Sequence, residues 1–214
     1  IKGLGVELID QYLDRFGFGK PTGIEIPGEK SGNIPSPEWK KKVKGEPWYL
    51  GDTYHLSIGQ GDFLVTPLQM VNAISAIANG GKLYKPHLVS KVVDKDGNII
   101  KEFSPEILSD SLVDNNYSIE VTRQGMRQAV ESNIGSARQL QDLPVPAAGK
   151  TGTAQFDASD LEKYHAWFTA FAPYDNPEVA IVVLVEEGGE GNEVAEPVAN
   201  EILKYYFKNK DKKE

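Results

Sequence analysis

The spacing of apolar residues predicts a helix at the start of the chain and another further along. Four apolar residues recur there at the helical period, and a glycine follows as the stop: Val6, Ile9, Leu13, Phe16 and Gly17. The other helix begins at Thr66, whose hydroxyl can cap it, with Pro67 suited to the first position and Gln69 able to complete a capping box. Two more helices are predicted over residues 119–131 and 136–141.

Residues 27–51 lie between these helices and show no sustained period. They are rich in proline, glycine and lysine, which is typical of a long surface loop. Trp39 and Trp48 are the expected packing anchors of this loop. Loops of this length in a compact domain are usually functional or flexible.

The apolar pattern changes to strands in two places. Residues 88–93 and 98–103 flank a turn that contains Gly97, which predicts a β-hairpin. Residues 147–155, 165–172 and 179–187 predict three antiparallel strands, of which the third is a continuous apolar run suited to a buried position. A last helix is predicted over residues 194–207, with Val198, Ile202 and Tyr206 on one face. The segregated helices and strands predict the α+β class, an antiparallel sheet flanked by helices.

Composition removes several classes of function. A formal charge of −8 and a pI near 5.0 argue against a nucleic-acid partner, and the sequence contains no cysteine for a thiol nucleophile or a thiolate zinc site. The three histidines (His55, His87 and His165) lack the spacing of metal ligands, so neither a metal nor a cofactor is expected. No apolar run reaches the length of about 18 residues that a membrane span needs.

The motif with the most chemical content is GKTGTAQ at residues 149–155, and it has three interpretations. It could be a glycine-rich strand without chemistry, because a short motif of this kind also arises by chance. It could end a phosphate-binding loop, but that motif needs glycine where Pro144 stands, and a proline-bearing loop cannot form the same cradle of amide donors. The third interpretation is the Lys-Thr-Gly strand of serine acyl-enzymes that act on D-Ala-D-Ala peptides and β-lactams.

The third interpretation assigns a task to each residue of the motif. A substrate that ends in a carboxylate needs a cation and hydroxyl donors, which Lys150, Thr151 and Thr153 can supply. The backbone N–H of Thr153 can stabilise the oxyanion that forms on the acyl carbonyl. Gly152 has no side chain, so a substrate can lie against this strand as an added strand.

Five stretches together resemble the class B penicillin-binding proteins, most closely the elongation type, penicillin-binding protein 2. They occur in the family's order over nearly the whole chain: SGN with EWK at 31–40, GDTYHLSIGQG at 51–61, TPLQM at 66–70, KTGTAQ at 150–155, and HAWF to FAP at 165–173. The resemblance implies a penicillin-binding transpeptidase domain of the serine β-lactamase-like fold. It also implies peptidoglycan D,D-transpeptidase activity through an acyl-enzyme, as in cell-wall cross-linking.

The family's residues carry over onto the matching positions. Lys150 and Thr153 would be catalytic, and Lys150, Thr151, Gly152 and Thr153 would bind the substrate. The implied partners are the D-Ala-D-Ala stem peptide of peptidoglycan, β-lactam antibiotics and the cell-wall elongation machinery. The implied location is the outer face of the bacterial cytoplasmic membrane, with an N-terminal anchor that this chain does not contain. The Gly59–Gln60–Gly61 turn resembles a stretch that supports the site, and it receives no chemical role.

The sequence departs from the family at the nucleophile. No serine in the chain is followed three residues later by lysine, the pair that supplies the nucleophile and its base. The SGN at 31–33 matches the family's Ser-x-Asn motif only in letters, because it lies in the long loop and its surroundings match another family segment. Residues 1–208 are therefore expected to be the C-terminal part of a transpeptidase domain whose serine lies upstream, and residues 209–214 a lysine-rich tail.

Two other functions fit part of this pattern. A serine β-lactamase shares the Lys-Thr-Gly strand, although the GQG, TPLQ and FAP stretches argue against it. A non-catalytic β-lactam sensor or scaffold would explain the missing nucleophile directly. On the sequence alone, the 214-residue chain is expected to be inactive by itself.

Overall fold

The computed structural model describes residues 3–156 and 163–210 of the chain. Within these ranges none of the helices combines the length and the apolar character that crossing a bilayer requires.

Helices and short strands make up the first two thirds of the described chain, and a sheet with its flanking helices makes up the last third. The helices are α1 (Val6–Arg15), α2 (Pro37–Lys44), α3 (Leu50–Ser57), α4 (Pro67–Ala78), α5 (Asn116–Glu131) and α6 (Glu196–Asn209). Single turns of 3-10 helix occupy Val113–Asn115 and Arg138–Asp142, and a π-helical turn, Gly191–Ala195, leads into α6. The strands are β1 (Leu83–Tyr84), β2 (Lys91–Val93), β3 (Ile99–Glu102), β4 (Ile107–Ser109), β5 (Ala148–Gln155), β6 (Tyr164–Ala172) and β7 (Val179–Val185).

The antiparallel sheet β5-β6-β7 organises the core. Side chains of β6 alternate between its two faces, as the period of two demands. Ala166, Phe168, Ala170 and Ala172 pack with α6, the second 3-10 turn and Val130 of α5. Phe171 packs on the opposite face with α4 and with Met126 of α5. The molecule is thus an α+β domain with helices on both faces of an antiparallel sheet, as the sequence predicts.

The start of α4 forms as its sequence predicts. Thr66 Oγ1 accepts a hydrogen bond from the Gln69 N–H at 3.1 Å, and Gln69 Oε1 accepts one from the Thr66 N–H at 2.9 Å, which completes the capping box. Gln69 does more than cap, because it is buried and its amide nitrogen also donates to the carbonyls of Lys20 and Ser31. One glutamine therefore joins α4 to two loop segments.

The prediction that residues 27–51 form a loop is wrong for its second half. Residues Pro37–Lys44 form α2, and α3 begins at Leu50. The signals for α2 are at its ends: Ser36 Oγ accepts from the Trp39 N–H, Pro37 takes the first turn, and Gly45 closes the helix with a left-handed φ of 72°. A helix of eight residues is too short to establish an apolar period, so only its capping residues could have predicted it.

One packing prediction needs correction, and two further features were not predicted from the sequence. The strand β7 is half-buried along its whole length rather than buried, because within the described residues β6 lies on only one side of it. The exposed face of α6 carries Val198, Ile202 and Tyr206, whereas Ala199 and Leu203 face the core. The pair β1–β4 was missed because strands of two and three residues are too short to show alternation. The hairpin β2–β3 and the strands β5, β6 and β7 confirm the other strand predictions, with shorter ends for β2, β3 and β7.

Candidate active site on the outer edge of β5

The strand β5 presents all the predicted site residues in succession. Lys150 and Thr153 are exposed, and Thr151 and Gly152 are half-buried. Their register on β6 is continuous, from Lys150 opposite Thr169 to Thr153 opposite Ala166. The regular pairing with β6 holds the backbone of this segment straight, so the groups on the other edge of β5 have fixed positions.

The outer edge of β5 carries main-chain acceptors at Thr151 and Thr153. The Thr151 carbonyl accepts a hydrogen bond from Lys150 Nζ at 2.5 Å, and the Thr153 carbonyl accepts one from Gln60 Nε2 at 3.2 Å. Neither of these two donors belongs to β6. Because the N–H and C=O of one strand residue point to the same side, the N–H groups of Thr151 and Thr153 face this edge as well. An extended peptide could therefore pair with this edge.

The side chain of Thr151 has a partner that the sequence did not reveal. Its Oγ1 lies 3.0 Å from Oγ of Ser136, in the loop between α5 and the second 3-10 turn. Ser136 is thus part of the candidate site through Thr151. Nothing in the spacing of the motif could have found it, because fifteen positions separate the two residues.

The loop that carries Ser136 is fixed by a buried carboxylate further on. Glu196 is fully buried at the start of α6, and its Oε1 accepts from the Gln139 N–H at 2.8 Å. Burial raises the pKa of Glu196 above its ordinary value. The carboxylate therefore ties the 3-10 turn after Ser136 to α6.

Two glycines allow close packing beside the site. A Cβ on Gly152 would lie 3.1 Å from Cβ of Trp167, its neighbour on β6. A Cβ on Gly191 would lie 2.3 Å from the Trp167 carbonyl oxygen and 2.6 Å from that of Gly152. Gly191 therefore lets the π-helical turn lie directly against the β5–β6 pair, which supports the site from the α6 side.

The Gly59–Gln60–Gly61 turn reaches the site through one side chain. Gln60 is half-buried, and its amide nitrogen donates to the Thr153 carbonyl. The sequence interpretation placed this turn beside the site and gave it no chemistry. The structure identifies Gln60 as its point of contact with β5.

An ion pair between α2 and α3 fixes the helix that precedes this turn. The buried side chain of Lys40 donates to both carboxylate oxygens of Asp52, at 2.7 and 2.9 Å, and Asp52 in turn accepts from the Tyr49 N–H at the start of α3. The hydrogen bond from Lys40 lowers the pKa of Asp52, and the same contact raises the pKa of Lys40. The ion pair thereby couples α2 to the helix that leads into Gln60.

His165 has a structural hydrogen bond, as the sequence favoured. Its Nδ1 accepts from the Glu187 N–H at 3.2 Å, and its ring stacks on Phe156 with centroids 4.3 Å apart. His165 joins the ends of β5, β6 and β7.

The SGN segment at residues 31–33 makes structural contacts, in agreement with the sequence interpretation that it is not the family's Ser-x-Asn motif. Asn33 forms a two-way backbone bridge with Leu64, with N···O distances of 2.7 and 3.0 Å, and Asn33 Nδ2 donates to the Asp62 carbonyl at 2.7 Å. Ser31 offers its carbonyl to Gln69. These contacts hold the stretch that follows Gln60.

Comparison with known proteins agrees with this fold. The model of the penicillin-binding protein transpeptidase domain matches residues 2–204. The chain belongs to the penicillin-binding protein transpeptidase family. It is 37% identical over 218 residues to the peptidoglycan D,D-transpeptidase MrdA of Haemophilus influenzae, an alignment that covers 95% of this chain and 33% of the relative.

Two solved structures show how closely the fold is shared. The penicillin-binding protein PBP2 of Helicobacter pylori in complex with MreC gives a TM-score of 0.79 at 32% identity, over 98% of this chain and 37% of that one. The PBP2 of Pseudomonas aeruginosa in complex with WCK 5153 gives a TM-score of 0.81 at 33% identity, over 95% and 44%. The chain thus spans about a third of the length of the curated relatives it matches.

Proposed function

We propose that this chain is part of a peptidoglycan D,D-transpeptidase, which cross-links the cell wall through an acyl-enzyme and is a target of penicillin. The observation that carries the proposal is the outer edge of β5. There Lys150, the hydroxyls of Thr151 and Thr153, and the main-chain groups of both threonines that do not pair with β6 lie along one strand.

The edge of β5 suits the donor half of the reaction. The C-terminal carboxylate of a D-Ala-D-Ala peptide would bind the ammonium of Lys150 and the hydroxyls of Thr151 and Thr153. The peptide would lie along β5 as an added strand, with the carbonyl of its penultimate residue near the Thr153 N–H. That N–H would stabilise the negative charge that develops on the carbonyl oxygen.

The reaction proceeds in two acyl transfers. A serine hydroxyl attacks the carbonyl of the penultimate D-Ala, its proton passes to the leaving amine, and terminal D-Ala departs as the ester forms. The amine of a second stem peptide then attacks the ester, which forms the cross-linking amide and restores the serine hydroxyl. Lys150 and Thr153 are the catalytic residues proposed in this chain, and Thr151 and Gly152 bind the substrate.

The serine is proposed to lie in another part of a longer protein. This sequence has no Ser-x-x-Lys, and the chain matches about a third of each curated relative. We therefore propose that residues 1–208 are the C-terminal part of a transpeptidase domain and that these 214 residues alone do not form an acyl-enzyme. The longer protein would be anchored in the cytoplasmic membrane and act on its outer face. Its partners would include β-lactams and components of the elongation machinery, as the PBP2–MreC complex of the Helicobacter pylori relative suggests.

Intact-mass spectrometry tests the assignment. The full-length protein that contains this chain should gain the mass of one penicillin molecule, and the adduct should disappear when the serine of its Ser-x-x-Lys motif is replaced by alanine. Residues 1–214 expressed alone should gain no mass. A full-length protein that carries a Ser-x-x-Lys motif and still forms no adduct would favour a non-catalytic sensor or scaffold. An adduct that hydrolyses within seconds would favour a serine β-lactamase.

A further inference from the structure

The side-chain amide of Gln60 contacts the Thr153 carbonyl, on the edge of β5 where an added strand would pair. Gln60 Nε2 lies 3.2 Å from this oxygen, and a glutamine can face a carbonyl oxygen only with its nitrogen. The contact joins residues 93 positions apart. It is therefore a tertiary constraint on the outer edge of β5, at the residue whose N–H is the proposed oxyanion donor.

The backbone that carries Gln60 is held on both sides. On its N-terminal side, the Gln60 N–H donates to the His55 carbonyl at 2.9 Å, and Gly59 takes a left-handed φ of 73° that closes the turn. On its C-terminal side, Gly61 has a φ of 77°, and the Asp62 carbonyl accepts from Asn33 Nδ2. Asp62 is also paired with Lys44 at 2.7 Å. These contacts fix the turn, so the side chain of Gln60 can hold the Thr153 carbonyl in place.

We propose that Gln60 is a positioning residue that holds the Thr153 carbonyl, and through the rigid strand the adjacent Thr153 N–H, in the orientation that acylation requires. The inference rests on the proposed function and adds a residue to it. A carbonyl oxygen has two lone pairs, so Gln60 can keep one while an N–H of the bound peptide takes the other. The contact thus orients the edge without blocking it.

Gln60→Ala and Gln60→Glu in the full-length protein test this role. Gln60→Ala removes the donor and should slow β-lactam acylation about fivefold, the effect of one ordinary hydrogen bond. Gln60→Glu keeps the shape but presents a carboxylate to the carbonyl, so it should be slower still at pH 7.5. The matched control is Gln124→Ala on α5, an exposed glutamine that bonds only within its own helix to Glu120. The control should acylate at the rate of the unchanged protein.

The pH dependence of the glutamate variant separates positioning from a general structural effect. A protonated glutamic acid can donate to the Thr153 carbonyl, whereas the carboxylate cannot. Its acylation rate should therefore rise relative to that of Gln60→Ala as the pH falls from 7.5 to 5.0. Four titratable residues line the same cavity as Gln60: Lys44, Asp52, His55 and Asp62. Lys150 is the other charged group at this edge. These five groups are present in both variants, so the ratio of the two rates isolates position 60.

The outcomes distinguish this inference from the proposed function. If the unchanged protein forms no adduct, the proposed function itself fails. If it is acylated and Gln60→Ala matches it, only the role of Gln60 is overturned. A flat ratio between the two variants from pH 7.5 to 5.0, with equal losses of melting temperature, would also overturn positioning. Slow acylation with unchanged melting temperatures and a ratio that rises toward low pH supports it.

Discussion

A side chain at position 32 would collide with Leu64. A Cβ added to Gly32 would lie 2.2 Å from the Leu64 carbonyl oxygen, and Gly32 has a left-handed φ of 64°. The adjacent bridge between Asn33 and Leu64 brings these two segments together. The loop that passes over the start of α4 therefore depends on the absence of one Cβ.

Gly32→Ala should lower the stability of the transpeptidase domain by about 2 to 4 kcal/mol, because the new methyl group must move either its own backbone or that of Leu64. Gly28→Ala is the matched control, since Gly28 has a φ of 82° but no atom within 4 Å of its added Cβ. The control should lose only about 1 to 2 kcal/mol, the cost of left-handed backbone. Urea denaturation of both variants measures the difference, and equal losses would show that the close approach to Leu64 is not limiting.

Thr153→Val in the full-length protein should slow acylation by a β-lactam about tenfold. The change removes the charge-assisted hydrogen bond that we propose between the Thr153 hydroxyl and the carboxylate of the drug, but it leaves the backbone N–H of Thr153 in place. Lys150→Ala should be slower than Thr153→Val, because it also removes the positive charge beside the carboxylate. Stopped-flow acylation kinetics give both rates. Unchanged rates in the two variants would place the carboxylate elsewhere.

The sequence predicted the parts of the fold whose information is local. The cap of α4 and the strands β5 and β6 could be predicted because Thr66 and Gln69 act within one turn and the strand pattern extends over eight or nine residues. The side of α6 that faces the core could not be predicted, because Val198 and Ile202 are as apolar as Leu203. Only the position of the sheet decides which of them is covered.

In the candidate site too, the sequence predicted only the residues that are neighbours along the chain. Lys150, Thr151, Gly152 and Thr153 are consecutive on one strand, so a motif could predict them together. Ser136 and Gln60 reach β5 only through the tertiary fold, from positions 15 and 93 residues away from their partners. A single sequence contains no signal that a serine in one loop or a glutamine in a turn faces this strand.

Lys40→Met should destabilise the domain and lower its melting temperature by at least about 5 °C. The Lys40 side chain is only 7% exposed, and its loss leaves the Asp52 carboxylate without its cation. Adding Asp52→Asn to Lys40→Met should recover part of the loss, because the uncompensated charge is then removed. Thermal unfolding of the two variants provides the test. A double variant less stable than Lys40→Met would mean that Asp52 matters mainly as the acceptor for the Tyr49 N–H.

The carboxyl group of Asp10 should make stability depend on pH. Its Oδ1 is buried without a hydrogen-bond partner, and burial, with a smaller contribution from the negative charge of Glu38, raises the pKa of Asp10 from 3.8 to about 6. A carboxyl whose folded pKa lies above its unfolded pKa favours the folded state while it is protonated. That contribution is complete below pH 3.8 and is lost as the pH rises through about 6.

Asp10→Asn cannot ionise, so its stability relative to the unchanged protein should rise between pH 4 and pH 7 and then level off. The gain should be about 1 to 2 kcal/mol, less than the full shift implies because the carboxyl group is partly solvated. Glu38→Gln should reduce this pH dependence without abolishing it, since burial is the larger cause. Urea denaturation of the three proteins at pH 4, 5.5 and 7 measures the effect. A difference between Asp10→Asn and the unchanged protein that stays constant over this range would mean that folding does not raise the pKa of Asp10.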